Sequence, residues 1–325
     1  MKENWIDSKH FRLEKLADGV YATIHKTGGG AYSNSGIIDL GDITILVDAF
    51  DTMAAGGDLR KAAELLMDRP VEMILLTHPH SDHWIGASAF EPRTVLLANE
   101  KTRQVCREWG KQMMKDYQKP EEWEAWIGEM EAQLQIERDE DMRAGLLRTI
   151  ERTQYSMAEM GEFQPRYADL TFEQEIRFHG EKRKAIFKSF GHGHSEDDAA
   201  LLLPEDGVAF IGDIGFFDTQ PFLGYCDIEG YRKQMTYFLE GEYDVLVPGH
   251  GPIGGKGELQ LQLEYCEILE ELVGKVVQQG GSLEEAKKVR LPEPFDSWLY
   301  GGKGRFEANV GYFYQYCGGV LAEET

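Results

Sequence analysis

Three of the chain's nine histidines fall within six positions, in the stretch "LLTHPHSDHWIG" from residue 75 to residue 86. His78 and His80 are two positions apart, so in an extended loop their imidazoles point the same way. Imidazole nitrogen and carboxylate oxygen both bind Zn²⁺ in proteins, so this pair is predicted to hold one ion. Asp82 and His83 follow in a turn expected to start a helix, and they would hold a second ion nearby. The alternative is a histidine-rich loop in solvent, which we disfavour because chance seldom produces the pattern H-x-H-x-D-H.

Each candidate ligand segment follows an apolar run that is typical of a buried strand. "VEMILLT" leads to His78, "KAIFKSF" leads into "GHGHSEDD", "GVAFIG" ends at Asp213, and "YDVLVPG" ends at His250. In layered α/β folds, functional side chains gather where strands end, because loops project them from a rigid sheet. We therefore expect these four endings to converge on one site.

The remaining pattern predicts the elements that carry this site. Strands are expected at "VYATIHK" and "NSGIIDLGDITILVDAF", with a helix from Asp58 to Met67. Residues 99–163 are rich in helix-forming residues and contain few β-branched ones, which predicts two or three helices, one of them starting at Pro120. Strands resume at "LTFEQEIRF", and the chain after residue 255 is again helical.

Charge and composition narrow the classes of function. The formal net charge of −23 disfavours nucleic acid and anionic membrane surfaces as partners. The four cysteines form no C-x-x-C pair and are expected to be free thiols in a reducing compartment. The N-terminal stretch is charged, without the apolar segment of a signal peptide, so we expect a cytoplasmic protein.

The motifs resemble those of the metallo-β-lactamase superfamily. The stretch from His78 to His83 matches its H-x-H-x-D-H signature in full, and "GHGHSEDD" is similar to its Gly-His-Thr/Ser element, with His194 at the ligand position. "FIGD" and "PGHG" match the elements that carry the bridging aspartate, Asp213, and the last histidine, His250. The resemblance covers about residues 17–98 and 168–255, and "IIDLGDITILVDAF" resembles the family's N-terminal strand pair, with Asp48 near the metal loop.

This resemblance implies a fold and an arrangement of domains. The fold class is α/β, a four-layer αβ/βα sandwich with an inserted helical segment and C-terminal helices. We expect residues 1–325 to form a single metallo-β-lactamase-like domain. The helical insertion would span about residues 99–165, and a helical C-terminal extension would span about residues 256–325.

It also implies a metal centre with two divalent ions, zinc being the first choice and iron or manganese the alternatives. The first ion would be bound by His78, His80 and His194. The second would be bound by Asp82, His83 and His250, with Asp213 bridging the two. Asp82 and His250 are additionally assigned as catalytic. A hydroxide held between the ions would be the nucleophile, because metal coordination lowers the pKa of water toward about 7.

The expected reaction is hydrolysis of an ester, lactone, thioester, amide or phosphoester of a small molecule. His80 stands where flavodiiron oxygen reductases have glutamate, and Asp213 stands where most exported β-lactamases have cysteine or serine. A glyoxalase II-like or lactonase-like hydrolase is therefore favoured. The alternative is an iron-dependent oxidoreductase, similar to sulfur dioxygenases, on the same ligands.

The sequence leaves two questions open, one about a ligand and one about the insertion. His192 lies two positions before His194 and could compete with it as a ligand, whereas His10, His25 and His179 have no ligand-like context. The insertion carries Trp109, Trp123 and Trp126 and could be a lid over the site, a homodimer surface or a structural cap.

Overall fold

The computed structural model describes residues 8–298 and 302–320. Its first sheet has the order β1-β2-β3-β4-β5-β6-β7, antiparallel from β1 to β4 and parallel from β4 to β7. The strands of this sheet are β1 (Phe11–Ala17), β2 (Val20–His25), β3 (Ser35–Asp39), β4 (Thr44–Val47), β5 (Met73–Leu75), β6 (Val95–Asn99) and β7 (Leu170–Phe172).

The second sheet has the order β12-β11-β10-β9-β8, and only its β11–β12 pair is parallel among the described strands. Its strands are β8 (Glu175–His179), β9 (Lys184–Ser189), β10 (Ala199–Leu203), β11 (Val208–Phe216) and β12 (Val245–His250). Strands β10 and β11 are buried along their whole length, as expected for strands covered on both faces.

The helices lie between and after these strands, and two 3₁₀ turns, Ile85–Ala89 and Phe295–Ser297, accompany them. They are α1 (Met53–Met67), α2 (Ser81–Trp84), α3 (Glu100–Asp116), α4 (Pro120–Ile136), α5 (Glu140–Glu159), α6 (Ile228–Glu240), α7 (Lys256–Gln278), α8 (Leu283–Ala286) and α9 (Gly302–Tyr316). None of the described helices combines the length and apolar character needed to cross a membrane.

Three apolar cores define the layers. The central core lies between the sheets, where Ile38 and Val47 of the first sheet pack with Phe187 and Leu201 of the second. A second core joins the outer face of the first sheet to α1 and α3, and a third joins the outer face of the second sheet to α6, α7 and α9. The order is therefore helix, sheet, sheet, helix, which confirms the four-layer α/β sandwich.

Two local predictions were wrong. Helix α1 begins at Met53, not at Asp58, because Thr52 caps it by accepting a hydrogen bond from the Ala55 amide at 3.1 Å. Gly56 lets α1 approach the 3₁₀ turn Ile85–Ala89 closely, since a Cβ there would lie 2.2 Å from the Gly86 carbonyl oxygen. "LTFEQEIRF" is not one strand, because its two halves are β7 and β8, in different sheets.

Three helices, α3, α4 and α5, fill the region between β6 and β7. Helix α3 buries Thr102, Cys106 and Gly110 against the first sheet, whereas α4 buries none of its described residues. The three helices therefore do not contribute equally: α3 packs on the sandwich, and α4 lies at the outside.

Candidate metal centre

The predicted ligands lie on four segments, which belong to strands of the two sheets or to the loops that follow them. His78, His80, Asp82 and His83 follow β5, and the last two lie in the first turn of α2. His194 lies in the loop between β9 and β10, and His250 is the last residue of β12. Asp213 was expected at the end of a strand, but β11 continues to Phe216, so Asp213 lies inside it.

The position of Asp213 depends on an irregular stretch of β11. The register between β11 and β12 shifts between Phe210 and Gly212 and again between Gly212 and Phe216. Gly212 adopts φ +51°, and a Cβ there would lie 2.7 Å from Oγ1 of Thr77. An irregularity of this kind redirects a side chain in a strand, and here the carboxylate of Asp213 is directed at the histidines.

The structure gathers the predicted residues into two groups, each with its ligand atoms within 4.8 Å of one another: His78, His80, His194 and Asp213 in the first, and Asp82, His83 and His250 in the second. In the first group, Nδ1 of His80 lies 3.1 Å from Nε2 of His78 and 2.9 Å from Nε2 of His194. Oδ2 of Asp213 lies 3.1 Å from Nε2 of His194. The four side chains are buried.

The second group shares Asp213 with the first. Nε2 of His83 lies 3.1 Å from Oδ1 of Asp213, and Nε2 of His250 lies 3.4 Å from Oδ2 of Asp213. Nε2 of His250 also lies 3.4 Å from Oδ2 of Asp82. The carboxylate of Asp213 thus contacts both groups, with Oδ2 beside His194 and His250 and Oδ1 beside His83, as a carboxylate shared by two ions would.

These distances fit a cation. Four ligands at about 2.0–2.1 Å from a tetrahedral Zn²⁺ lie about 3.3–3.4 Å from one another, and the donor atoms of the first group are separated by 2.9–3.5 Å where pairs are measured. Nε2 of His83 and Oδ1 of Asp213 are both buried, and apart from their 3.1 Å contact with each other neither has a hydrogen-bond partner. Buried polar atoms of this kind are costly unless they bind something, and a metal ion would bind both.

The Nδ1 atoms of two histidines are held by their neighbours. Nδ1 of His83 lies 2.8 Å from Oδ2 of Asp48, and Nδ1 of His78 lies 3.0 Å from Oγ1 of Thr77. The hydroxyl of Thr77 donates to the same oxygen of Asp48 at 2.8 Å, and the Thr77 amide donates to the other oxygen. Such contacts fix the ring orientation and leave Nε2 for a metal.

The protonation states also suit metal binding. Burial lowers the pKa of both His78 and His80, so their rings are neutral at pH 7. Burial would raise the pKa of Asp213, but the surrounding histidines, His250 and His83 foremost, lower it well below its ordinary value. Burial likewise opposes protonation of His83, yet Asp213 and Asp48 on its two sides raise its pKa well above the ordinary value. Asp213 and Asp48 therefore favour a positive charge at this position, and a bound metal ion would supply it.

The other four histidines belong to neither group. His192 is exposed, with Nε2 at 3.1 Å from the carbonyl oxygen of Tyr225, whereas His194 is fully buried. His25 packs its ring against the ring of His250 at 6.3 Å between centroids. His10 is buried beside the carbonyl of Gly29, and His179 lies exposed on β8.

Two residues beside the site, Arg152 and Asp51, were not predicted from the sequence. Arg152 of α5 forms a bidentate pair with Asp51, at 2.7 and 2.9 Å, and donates to the hydroxyl of Ser81 at 2.6 Å. Asp51 follows β4 closely, so the rule that sites gather at strand ends could have found it. Arg152 comes from the middle of a helix 101 residues away, and no local pattern marks it.

An aromatic wall stands over His80. The ring of Trp109, from α3, is nearly parallel to the ring of His80, at 5.7 Å between centroids and 7° between planes. Phe222 and Tyr225, from the segment between β11 and α6, approach the same ring at 5.8 and 5.7 Å. Trp109 is therefore the tryptophan of the insertion that lies beside the candidate ligands.

Two buried hydrogen-bond networks hold the ligand segments from behind. Asp198 accepts hydrogen bonds from the amides of His194 and Ser195, and from the side chain of Gln234 on α6. Gln262 of α7 accepts from the Phe216 amide at 2.6 Å and donates to the hydroxyl of Tyr231, which in turn donates to the Asp213 carbonyl at 3.0 Å.

Comparison with known proteins agrees with this architecture. The sequence profile described as "Metallo-beta-lactamase superfamily" matches residues 28–250. The fold is similar to that of the metallo-β-lactamase FIM-1 from Pseudomonas aeruginosa in its mono-zinc form, with 16% identity, a TM-score of 0.53, and coverage of 78% of this chain and 94% of that one. The metallo-β-lactamase from Hirschia baltica gives 17% identity, a TM-score of 0.55, and coverage of 78% and 97%.

A third solved structure extends the similarity over more of the chain. A double mutant of the sec-alkyl sulfatase PisA1 matches with 17% identity and a TM-score of 0.64. The match covers 97% of this chain and 51% of that one. At this identity the similarity concerns the fold, and the match extends over nearly the whole of this chain.

Proposed function

The chain belongs to the metallo-β-lactamase superfamily, and we propose that it is a dinuclear metal-dependent hydrolase of small-molecule esters, lactones or thioesters. The observation that carries this proposal is Asp213, whose single carboxylate lies within 3.1–3.4 Å of donor atoms of both groups of candidate ligands. Members of this superfamily bind metal ions, and the seven residues supply a nitrogen and oxygen donor set suited to Zn²⁺.

When bound, two divalent ions would polarise the scissile carbonyl and supply a water of lowered pKa, available as hydroxide at neutral pH. His78, His80 and His194 would hold the first ion, and Asp82, His83 and His250 the second. Asp213, held in place by β11, would be the carboxylate shared by the two ions.

Other roles in the reaction would fall to side chains that contact the substrate or shield the site from water. Asp82 and His250 face each other at 3.4 Å at the edge of the second group, where both would contact a substrate. Of the two, Asp82 has a second carboxylate oxygen that would accept or return a proton of the substrate. Burial would raise the pKa of Asp82, but His83 and His250 lower it, so this carboxylate is ionised at neutral pH. Trp109, Phe222 and Tyr225 cover His80 and reduce the access of bulk water to that side of the site.

The class of substrate rests on the bridging aspartate together with the motif pattern. Both are typical of the glyoxalase II-like and lactonase-like branch, which we propose for this chain. The alternative is a mononuclear iron oxidoreductase, and the first group, with three histidines and one aspartate, is complete enough to hold a single ion.

The experiment is a substrate panel on protein of defined metal content: carboxylic esters, lactones, thioesters, phosphodiesters and, because the PisA1 fold spans 97% of this chain, an alkyl sulfate. We expect turnover of at least one carboxylic ester, lactone or thioester, its loss on chelation, and its return with added zinc. Turnover that survives complete removal of metal would contradict the proposal. Oxygen consumption with bound iron, without hydrolysis, would establish the alternative.

A further inference from the structure

A cavity of about 420 Å³ lies between the loop that carries His80 and the helices of the insertion. It is lined by residues of α3 and α5 and by Trp123 of α4; among them are Trp109, Met113, Tyr117 and Ser156. Its volume lies within the range of small-molecule sites, about 300–1,000 Å³.

The cavity borders the candidate metal centre directly. Ser81, which lines it, immediately precedes Asp82, and Trp109, which also lines it, places its ring against that of His80. A molecule bound in the cavity would therefore have one end beside the candidate ligands.

The charged groups of the wall are already paired. Arg152 uses Nε and Nη2 to bind Asp51 and Ser81, and Asp116 accepts a hydrogen bond from Gln112 at 2.8 Å. A charged ligand would have to displace one of these partners. The rest of the wall offers mainly aromatic carbon and the thioether of Met113, which favour uncharged, apolar groups.

We propose that this cavity binds the uncharged hydrocarbon chain of the substrate while the bond to be cleaved lies at the metal centre. The part of the inference that places the bond to be cleaved at the metal centre rests on the proposed hydrolase function. Binding of the chain itself depends only on the cavity, so the two can be tested apart.

The first test uses straight-chain alcohols from butanol to decanol as probes, with binding to the protein as purified measured by calorimetry. Each added methylene that enters the cavity should strengthen binding about three- to fourfold, and the gain should stop when the cavity is full. Affinity that does not depend on chain length would overturn the inference.

The second test changes the size of the cavity in opposite directions. Ser156→Leu should fill it and shorten the chain length at which binding stops improving, whereas Met113→Ala should lengthen it. Met114→Ala is the matched control, because Met114 lies next to Met113 on α3, packs against the same core and does not line the cavity. The control should keep the wild-type length preference, and a general loss of packing would lower the melting temperature of both alanine variants alike.

Hydrolysis provides the separate readout. If esters are cleaved, the preferred acyl chain should be shorter in Ser156→Leu, longer in Met113→Ala and unchanged in Met114→Ala. If alcohols bind with the expected length dependence but no ester is cleaved, the proposed hydrolase function fails and the chain-binding cavity stands. If esters are cleaved without any dependence on acyl length or on the two cavity variants, the cavity inference fails and the hydrolase stands.

Discussion

Nδ1 of His83 lies 2.8 Å from Oδ2 of Asp48, and both side chains are almost completely buried. Because the carboxylate accepts a hydrogen bond from Nδ1, Nε2 of His83 is directed at Asp213 and the second ligand group, where a metal ion would take the place of a proton. Asp48 therefore acts on the candidate centre without being one of its ligands.

Replacing Asp48 with Asn should weaken metal binding. An amide that turns its NH₂ toward Nδ1 would donate to it, which leaves the proton on Nε2, where the metal should bind. We expect the affinity for the second ion to fall about 10- to 100-fold, as for other substitutions behind metal-binding histidines. Competition with a chromophoric chelator measures this, and an Asp48→Asn protein with wild-type affinity at both sites would refute the role of Asp48.

Gln262 should support the same centre from the opposite side. It is fully buried and satisfies the Phe216 amide and the Ile214 carbonyl, three and one residues from Asp213. Gln262→Met keeps the volume but leaves these groups unpaired, so the free energy of unfolding should fall by about 1–3 kcal/mol. Gln260→Met on the same helix is the control, because Gln260 is exposed. Equal stability of the two variants in urea denaturation would show that the network is dispensable.

The pair of Arg152 and Asp51 should couple the insertion to the site. Asp51 has a side chain only 3% exposed, whereas that of Arg152 is 42% exposed, so the buried carboxylate carries the cost when the pair is broken. Burial raises the pKa of Asp51 in spite of Arg152. Because solvent screens the exposed partner, we expect Arg152→Met to cost about 2 kcal/mol, less than a fully buried pair.

A double-mutant cycle provides the check on this pair. Asp51→Asn should recover part of the stability lost in Arg152→Met, because it removes the unpaired buried charge. If the two losses simply add in denaturant titrations, the residues are not coupled and α5 is anchored by other contacts.

Trp109 should affect substrate use, and Trp126 should not. Trp109 covers His80, whereas Trp126 is 39% exposed on α4. Trp109→Ala should raise KM or change substrate preference up to about tenfold, the equivalent of a lost aromatic contact, with metal content unchanged. Trp126→Ala should have wild-type kinetics. A Trp109→Ala enzyme with a lower melting temperature and unaltered kinetics would identify the insertion as a structural cap.

The sequence was most informative where chemistry and local pattern coincide. The seven candidate ligands and the four-layer fold could be predicted because H-x-H-x-D-H, "GHGHSEDD", "FIGD" and "PGHG" are short motifs beside apolar strands. Arg152 and Gln262 could not be found in this way, because they act across layers and their helices show nothing unusual at those positions. Trp109 was singled out only together with Trp123 and Trp126, and the local pattern does not tell which of the three lies beside His80. Strand β1 was also missed, since its partly exposed sequence "FRLEKLA" lacks a continuous apolar run.

Asp197 should produce a measurable pH dependence of stability. Burial, with Asp198 nearby, raises its pKa from 3.8 to about 6, although Ser189 donates a hydrogen bond to it. Between these values the folded protein holds a proton that the unfolded chain has released, so the free energy of unfolding falls as the pH rises through this window. Above about pH 6 the loss is complete.

Asp197→Asn should remove this loss and stabilise the protein at pH 7 by about 1–3 kcal/mol. Asp42→Asn makes the same charge change at an exposed position and is the control. Denaturant titrations from pH 4 to pH 8 distinguish the variants. A wild-type slope in Asp197→Asn would mean that another group is responsible.

The central claim is that Asp213 bridges two metal ions in a hydrolytic site, and metal content measured together with turnover tests it most directly. Wild-type protein and Asp213→Asn, purified without added metal, are compared by elemental analysis and by hydrolysis of the best substrate of the panel. Asparagine keeps the shape but removes the negative charge and one acceptor oxygen. The account predicts two ions per chain in the wild type, fewer in Asp213→Asn, and a loss of turnover of at least about 100-fold. Unchanged metal content and unchanged turnover in Asp213→Asn would contradict it.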